Sequence, residues 1–215
     1  TLLPDRDKCC VEFGAWDGLH LSNTANLIRH HGHHGIFIEG DAAKVEELKR
    51  NYADNEKVKC FCQMVGWSSH DGLDTILAQT DLPHNFDLLS IDIDGNDYYV
   101  WEALNNYAPK LVIIEFNQTI PTEVVYCQPR QPELNVGASI EAINRLARRK
   151  GYELISILRN NLVFVKKEYF ELFQIADNSP ASLRKDVSDI TWIFSGYDGS
   201  VHCAGSGRLP WHSLN

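Results

Sequence analysis

The chain has 215 residues, 44% of them hydrophobic and 10% aromatic, with 20 Lys and Arg against 29 Asp and Glu and a formal net charge of −9. That length and apolar content suit one domain, or one domain with an appendage, built on a sizeable core, and they exclude a disordered chain. The acidic balance argues against nucleic acid or an anionic membrane as main partner, and no apolar run approaches the roughly 18 residues of a membrane span.

Residues 9–13 form a short apolar run ended by Gly14, which predicts a buried strand. A helix is predicted over 22–31 from its Ser/Asn start, the apolar Ala25, Leu27 and Ile28, and the stop at Gly32. Residues 35–39 read as a second strand. Asp41 can cap the next helix, which carries Val45, Leu48 and Tyr52 at helical spacing. A third strand is expected over 58–65, a short helix over 73–79 and a fourth strand over 86–93. A helix over 97–104 and a fifth strand over 110–116 follow. Residues 117–136 contain Pro121, Pro129 and Pro132 and little periodicity, so they read as a long loop, of the kind that lids and binding segments use. The next helix spans 139–150 and stops at Gly151. Strands over 152–158 and 162–165 are separated only by Arg159-Asn160-Asn161, too short for a crossover, so they pair as an antiparallel hairpin.

Strands this apolar, alternating with amphipathic helices, predict an α/β fold. Its seven-stranded sheet is mostly parallel, closed by the antiparallel hairpin and covered by helices on both faces. We take 1–166 as the core and 167–215 as an appendage packed on it, with one helical stretch at 169–173, then Trp192 to Phe194 and a Gly/Ser-rich end with Trp211. Six cysteines without a C-x-x-C spacing are too sparse for a disulfide framework or a zinc knuckle. They read as mostly buried, reduced thiols in a reducing, cytoplasmic compartment, and nothing at the start reads as a signal peptide.

The chemistry gathers at strand ends. Glu12-Phe13-Gly14-Ala15-Trp16-Asp17-Gly18 places two glycines after the first strand, where the backbone must turn sharply and approach a ligand. The spacing is not G-x-G-x-x-G, and acidic residues this near would repel a pyrophosphate and suit a cation, so a nicotinamide dinucleotide is disfavoured. Glu39 closes the second strand 25 residues after Gly14, where a carboxylate can accept both ribose hydroxyl protons, and Gly40 follows it. Val65-Gly66 would flank an adenine. With the strand order and the closing hairpin, this conjunction predicts a class I S-adenosylmethionine (SAM) fold of the Rossmann-like type.

Five stretches carry a family likeness: V-E-F-G-A-W-D-G at 11–18, S-N-T at 22–24, F-I-E-G-D at 37–41, D-L-L-S-I-D-I-D-G-N-D at 87–97 and I-I-E-F-N at 113–117. They resemble FkbM-type methyltransferases, from about residue 9 to 165. The resemblance implies that Glu12, Gly14, Asp17, Gly18, Ser22 and Asn23, with Ala15 between them, surround the methionine part of SAM, and that Glu39 holds its ribose. Where family members often carry a V-E-G-A-E-like run, this chain has I-D-I-D-G-N-D.

Asp92 and Asp94 close the fourth strand, and Glu115 and Asn117 the fifth, so neighbouring parallel strands bring them side by side. Asp92 is assigned to the cofactor side, and Asp94 and Glu115 to catalysis as general base or as anchors for substrate hydroxyls. Asp94, Glu115 and Asn117 also make a hard-oxygen set suited to Mg²⁺, similar in outline only to catechol-type methyltransferases. Helix capping is the competing reading of Asp97. His20 is a candidate base. His30, His31, His33 and His34 fall at a helix C-terminus on the opposite sheet edge, where they suit the dipole. Tyr98 and Tyr99 could line the pocket, and Arg130 could meet an anionic group. The function expected is O-methylation of a small molecule or sugar. The alternative is a methyltransferase-like binding or assembly module that uses Trp192 and Trp211 as contact surface. The acceptor and the oligomeric state have no motif.

Overall fold

The computed structural model describes residues 3, 4 and 6–206. Seven strands run β1 (Cys9–Phe13), β2 (His34–Glu39), β3 (Val58–Cys62), β4 (Leu88–Ile91), β5 (Leu111–Glu115), β6 (Tyr152–Ile157) and β7 (Asn161–Lys166). They form one sheet in the order β3-β2-β1-β4-β5-β7-β6. The first five are mutually parallel, and β7 inserts antiparallel between β5 and β6. Helices α1 (Ala25–His31), α2 (Ala42–Asn51), α3 (Leu73–Leu77), α4 (Asp97–Ala103) and α5 (Ile140–Arg149) cover it.

Alternation along each strand makes two apolar layers. Val11, Phe13, Ile36, Ile38, Leu89, Ile91, Val112 and Ile114 face α3, α4 and α5, with Trp101 fully buried among them. Cys10, Phe37 and Leu88 point the other way, to Ile28 of α1 and to Leu48 and Tyr52 at α2. Burial on both faces is what the near-continuous apolar strands required.

Several element ends differ from expectation, each for a local reason. Helix α1 starts at Ala25 and not at Ser22, because the Glu12 carboxylate holds Ser22, Asn23 and Thr24 in a turn, and the Ser22 hydroxyl accepts the Ala25 N–H. Strand β4 ends at Ile91, where the chain leaves the sheet to make an acidic turn. The stretch at 169–173 is part of a 3-10 helix, Lys167–Phe173. Of the six free cysteines only Cys10 is buried; Cys62 and Cys203 are exposed, since β3 is an edge strand and Cys203 lies on a hairpin. No described helix is long and apolar enough to cross a membrane.

Residues beyond β7 include α6 (Pro180–Leu183) and a separate hairpin of β8 (Thr191–Ser195) and β9 (Val201–Gly205). Buried Arg184 ties this segment to the loop after β5, donating to the carbonyls of Gln118 (2.6 Å) and Ile120 (2.9 Å) and to Thr122 Oγ1 (3.1 Å). Trp211 lies outside the described residues.

Candidate functional site

Strand β1 pairs with β2 on one side and β4 on the other, so the chain order reverses there and a crevice opens beyond the carboxyl ends. Gly14 makes that crevice possible. Its φ is +71°, and a Cβ would lie 1.6 Å from the Asp92 carbonyl oxygen, so only glycine lets β1 turn against the end of β4.

The cleft has a volume of about 580 Å³. Gly14, Trp16, Glu39, Gly40 and Asp41 form one side, Met64 to Ser68 with Asp71 the next, and Asp92 to Asp94, Asn96 and Pro132 the far end. Glu39 is fixed at the end of β2: one carboxylate oxygen accepts the Trp16 N–H at 2.8 Å and the other the Asp41 N–H at 2.8 Å. Each oxygen has a second lone pair beyond these bonds, on a residue that lines the cleft. Asp41 caps α2, accepting from Ala43 and Lys44 N–H, and Lys44 extends over the Trp16 ring at 4.0 Å from its centroid. Asp71 accepts from the Ser68 hydroxyl and N–H, bonds that hold its carboxyl below the usual range and keep it an acceptor.

Beyond β4 and β5, Asp92, Asp94 and Glu115 each place an oxygen within 4.8 Å of the other two. Glu115 is buried, Asp92 half-buried and Asp94 exposed. Burial, then the charges of Asp92, Asp97 and Asp94, pushes the Glu115 carboxyl well up. Burial, then Asp97 and Asp94, also raises Asp92, which the facing Glu115 draws back by hydrogen bonding. Three carboxylates this close cannot all stay ionised without a counter-charge, so the cluster holds a proton near neutral pH or a cation takes its place. Asp97 is not the helix cap. That position is Asn96, and the buried Asp97 carboxylate accepts the N–H groups of Ile93 and Gly95 (2.9 Å each), shaping the turn that presents Asp94 with φ +57°.

The long loop after β5 closes the far end of the cleft. Gln128, with no exposed surface, organises it: Oε1 accepts from Val136 and Gly137 N–H, while Nε2 donates to Leu134 O and to Asn96 Oδ1. Tyr99 donates to the Gln128 carbonyl at 2.6 Å, and its ring lies 5.9 Å from that of Trp67. A Cβ on Gly95 would meet the Leu134 carbonyl at 2.6 Å, so the loop seats directly on the acidic turn.

Of the cofactor residues expected from sequence, Gly14, Glu39, Gly40, Val65, Gly66 and Asp92 stand in the cleft wall, with Asp94 at its end. Glu12, Ser22 and Asn23 do not: the buried Glu12 carboxylate is spent on Ser22, Thr24 and the Asn23 N–H, and the Asn23 amide on Ser90. Ala15 is buried, Asp17 caps the following turn at Leu19 and His20, and Gly18 admits the ring of Tyr52. None of these six is among the residues that line the cleft. Glu115 backs Asp92 and does not line the cleft. Asn117 is engaged elsewhere, its Oδ1 accepting from Thr119 N–H and hydroxyl and its Nδ2 donating to Val136 O, so Asp92 replaces it in the oxygen cluster. His20 packs on Trp16 outside the cleft, Tyr98 accepts from Arg149, and Arg130 pairs with Glu102 over the Tyr99 ring. Pro132 reaches the cleft from the long loop read as a lid or binding segment, whereas Met64, Trp67 and Asp71 are additions to the sequence reading. Of these three only Trp67 has a signal, since it directly follows Val65-Gly66.

Comparison of the sequence with family models and with curated proteins gives no match. Among solved structures, the fibrillarin pre-rRNA processing protein of Methanococcus jannaschii aligns with a TM-score of 0.52 at 13% identity, covering 75% of this chain and 67% of that one. The fold is that of the Rossmann-like methyltransferases. The CMeT domain of the citrinin polyketide synthase aligns at 0.49 and 11%, covering 75% of this chain. This chain spans about half (48%) of that one. The N-terminal domain of EvdMO1, solved with S-adenosylhomocysteine (SAH) and D-fucose, aligns at 0.46 and 11%, with 74% and 75% covered.

Proposed function

We propose that the chain is a SAM-dependent methyltransferase acting on a hydroxyl of a small molecule or sugar. The observation that carries this reading is the cleft itself: Gly14, Glu39 and the Asp92–Asp94 turn converge on one cavity at the strand-order reversal. Its wall is acidic at Glu39, Asp41, Asp71, Asp92 and Asp94, with Lys44 as the sole cation among the residues lining it. That field opposes a polyphosphate and suits a sulfonium.

SAM, when bound, supplies an electrophilic methyl group on a cationic sulfur. Glu39 would accept the two ribose hydroxyls with its remaining lone pairs. Asp71 would accept from an exocyclic amine, with Met64 and Trp67 as apolar flanks. Asp94, exposed at the end of the cleft, would orient the acceptor hydroxyl and take its proton as the oxygen becomes a nucleophile. Glu115, held protonated by burial, would limit the charge behind Asp92 and keep that end of the cleft from repelling an incoming hydroxyl.

A second reading rests on the same three oxygens. Asp92, Asp94 and Glu115 are hard donors close enough to hold Mg²⁺, which would lower the pKa of a coordinated hydroxyl. The proton-holding reading is preferred, because the carboxamide of Asn117 is committed to the loop and Glu115 is buried.

Transfer of labelled methyl from SAM to a panel of polyols, sugars and phenols tests the proposal. An O-methyl product formed in EDTA, lost in Asp94→Asn while SAH still binds, is expected. Methyl transfer only to nitrogen would refute the hydroxyl assignment, and activity abolished by EDTA and restored by Mg²⁺ would select the metal reading.

A further inference from the structure

We infer that the Trp16 ring is the platform on which the sulfonium of SAM sits, and that this face makes the cleft prefer SAM to its product SAH; the inference rests on the cofactor reading above. Trp16 stands in the loop after β1 with φ +51°, a left-handed conformation that residues other than glycine rarely adopt. Its backbone N–H is fixed by the Glu39 carboxylate at 2.8 Å. The ring belongs to neither apolar layer of the sheet and stays 48% exposed.

What the ring does meet is a cation. Lys44 Nζ lies 4.0 Å from its centroid. Lys44 shares the cleft wall with Glu39, Asp41, Asp71, Asp92 and Asp94, yet its ammonium forms no ion pair among the described residues and rests on the indole instead. His20 also packs on the ring, tilted, with centroids 5.7 Å apart. Trp16 and Lys44 line the cleft and His20 does not, so the face under Lys44 is the one that borders the cavity.

An indole face attracts an onium centre through its quadrupole, more strongly once water is excluded. The connectivity of SAM brings its cation to this face. The sulfur is joined to the ribose through one methylene, and the carboxylate assigned to the ribose is the one that holds the Trp16 N–H. Unlike a carboxylate, the ring steadies the positive sulfur without offering a lone pair that could take the methyl group. On transfer the S–CH3 bond breaks with its electron pair kept by sulfur, an O–CH3 bond forms, and the hydroxyl proton passes to Asp94. The thioether left behind is neutral, so SAH keeps its ribose and adenine contacts and loses the attraction to the ring. Lys44 competes for the same face and returns to it as the product leaves.

Calorimetric titration of SAM and of SAH into the intact chain, wild type and variants, tests the inference, with circular dichroism confirming that each variant is folded. Trp16→Leu keeps an apolar side chain and removes the quadrupole. It is expected to weaken SAM about fivefold while SAH stays within about twofold, and Trp16→Phe is expected to restore part of the difference. Lys44→Leu removes the competing cation and is expected to tighten SAM and leave SAH as it was. An equal loss for both ligands in Trp16→Leu, or no loss for either, would overturn the inference. So would weaker binding of both ligands in Lys44→Leu, which would make Lys44 the partner of their shared carboxylate. Wild-type protein that binds neither ligand would refute the cofactor reading itself.

Discussion

Gln128→Ala removes four hydrogen bonds made by one side chain with no exposed surface. The N–H groups of Val136 and Gly137 lose their acceptor, and Leu134 O and Asn96 Oδ1 lose their donor. A buried polar group left unpaired costs about 1–3 kcal/mol. Val136 and Gly137 are only half-buried and regain water in part, so we expect a total loss of about 3 kcal/mol. With an m-value of roughly 2 kcal/mol/M in urea, the midpoint should fall by roughly 1.5 M. Because the loop seats on the acidic turn, amide exchange at residues 128–137 should accelerate more than exchange in β1 or β4. A variant that unfolds within about 1 kcal/mol of wild type, with protection at 136 and 137 intact, would refute the claim that this side chain holds the loop over the cleft.

Gly14→Ala should abolish cofactor binding and lower the melting temperature, because its Cβ meets the Asp92 carbonyl at 1.6 Å. Gly137→Ala is the control: φ is +73° but the nearest atom is 3.9 Å away, so it should cost only about 1 kcal/mol of backbone strain. Glu39→Gln should weaken SAH binding about tenfold in a calorimetric titration, close to 1.4 kcal/mol, with the fold unchanged by circular dichroism. The folded chain binds protons at Asp92 and Glu115 more tightly than the unfolded chain does. Their contribution to stability is therefore full below about pH 4 and is lost as pH rises, through about 7 for Asp92 and higher for Glu115. Glu115→Gln, measured in EDTA by urea unfolding, should flatten the decline between about pH 5 and pH 8; an unchanged slope would show that the cluster does not share a proton.

The fold was legible because its determinants are local and repetitive. Apolar strands broken by Gly14, the cap at Asp41 and the three-residue gap at 159–161 each dictate geometry within a few residues. The parallel order follows once the helices between strands are counted. The site was legible to the extent that it sits on strand ends, which is why Gly14, Glu39, Asp92 and Asp94 reach the cleft. The rest depended on long-range pairing. Glu12 looked like a ligand residue and is consumed by a turn ten residues on. Asn117 looked like a metal donor and instead anchors Val136 across the loop. Gln128 and Arg184 organise the loop from inside and leave no periodic trace, since a single buried polar side chain has no pattern to read. Five of the acidic residues that set the net charge, Glu39, Asp41, Asp71, Asp92 and Asp94, line one cleft beside a single lysine.

Titration calorimetry of SAM and of SAH into the intact chain tests the central claim most directly. The account predicts one site per chain for both ligands, weakened by Glu39→Gln and lost in Gly14→Ala. No measurable binding of either ligand by the folded wild-type protein would contradict it.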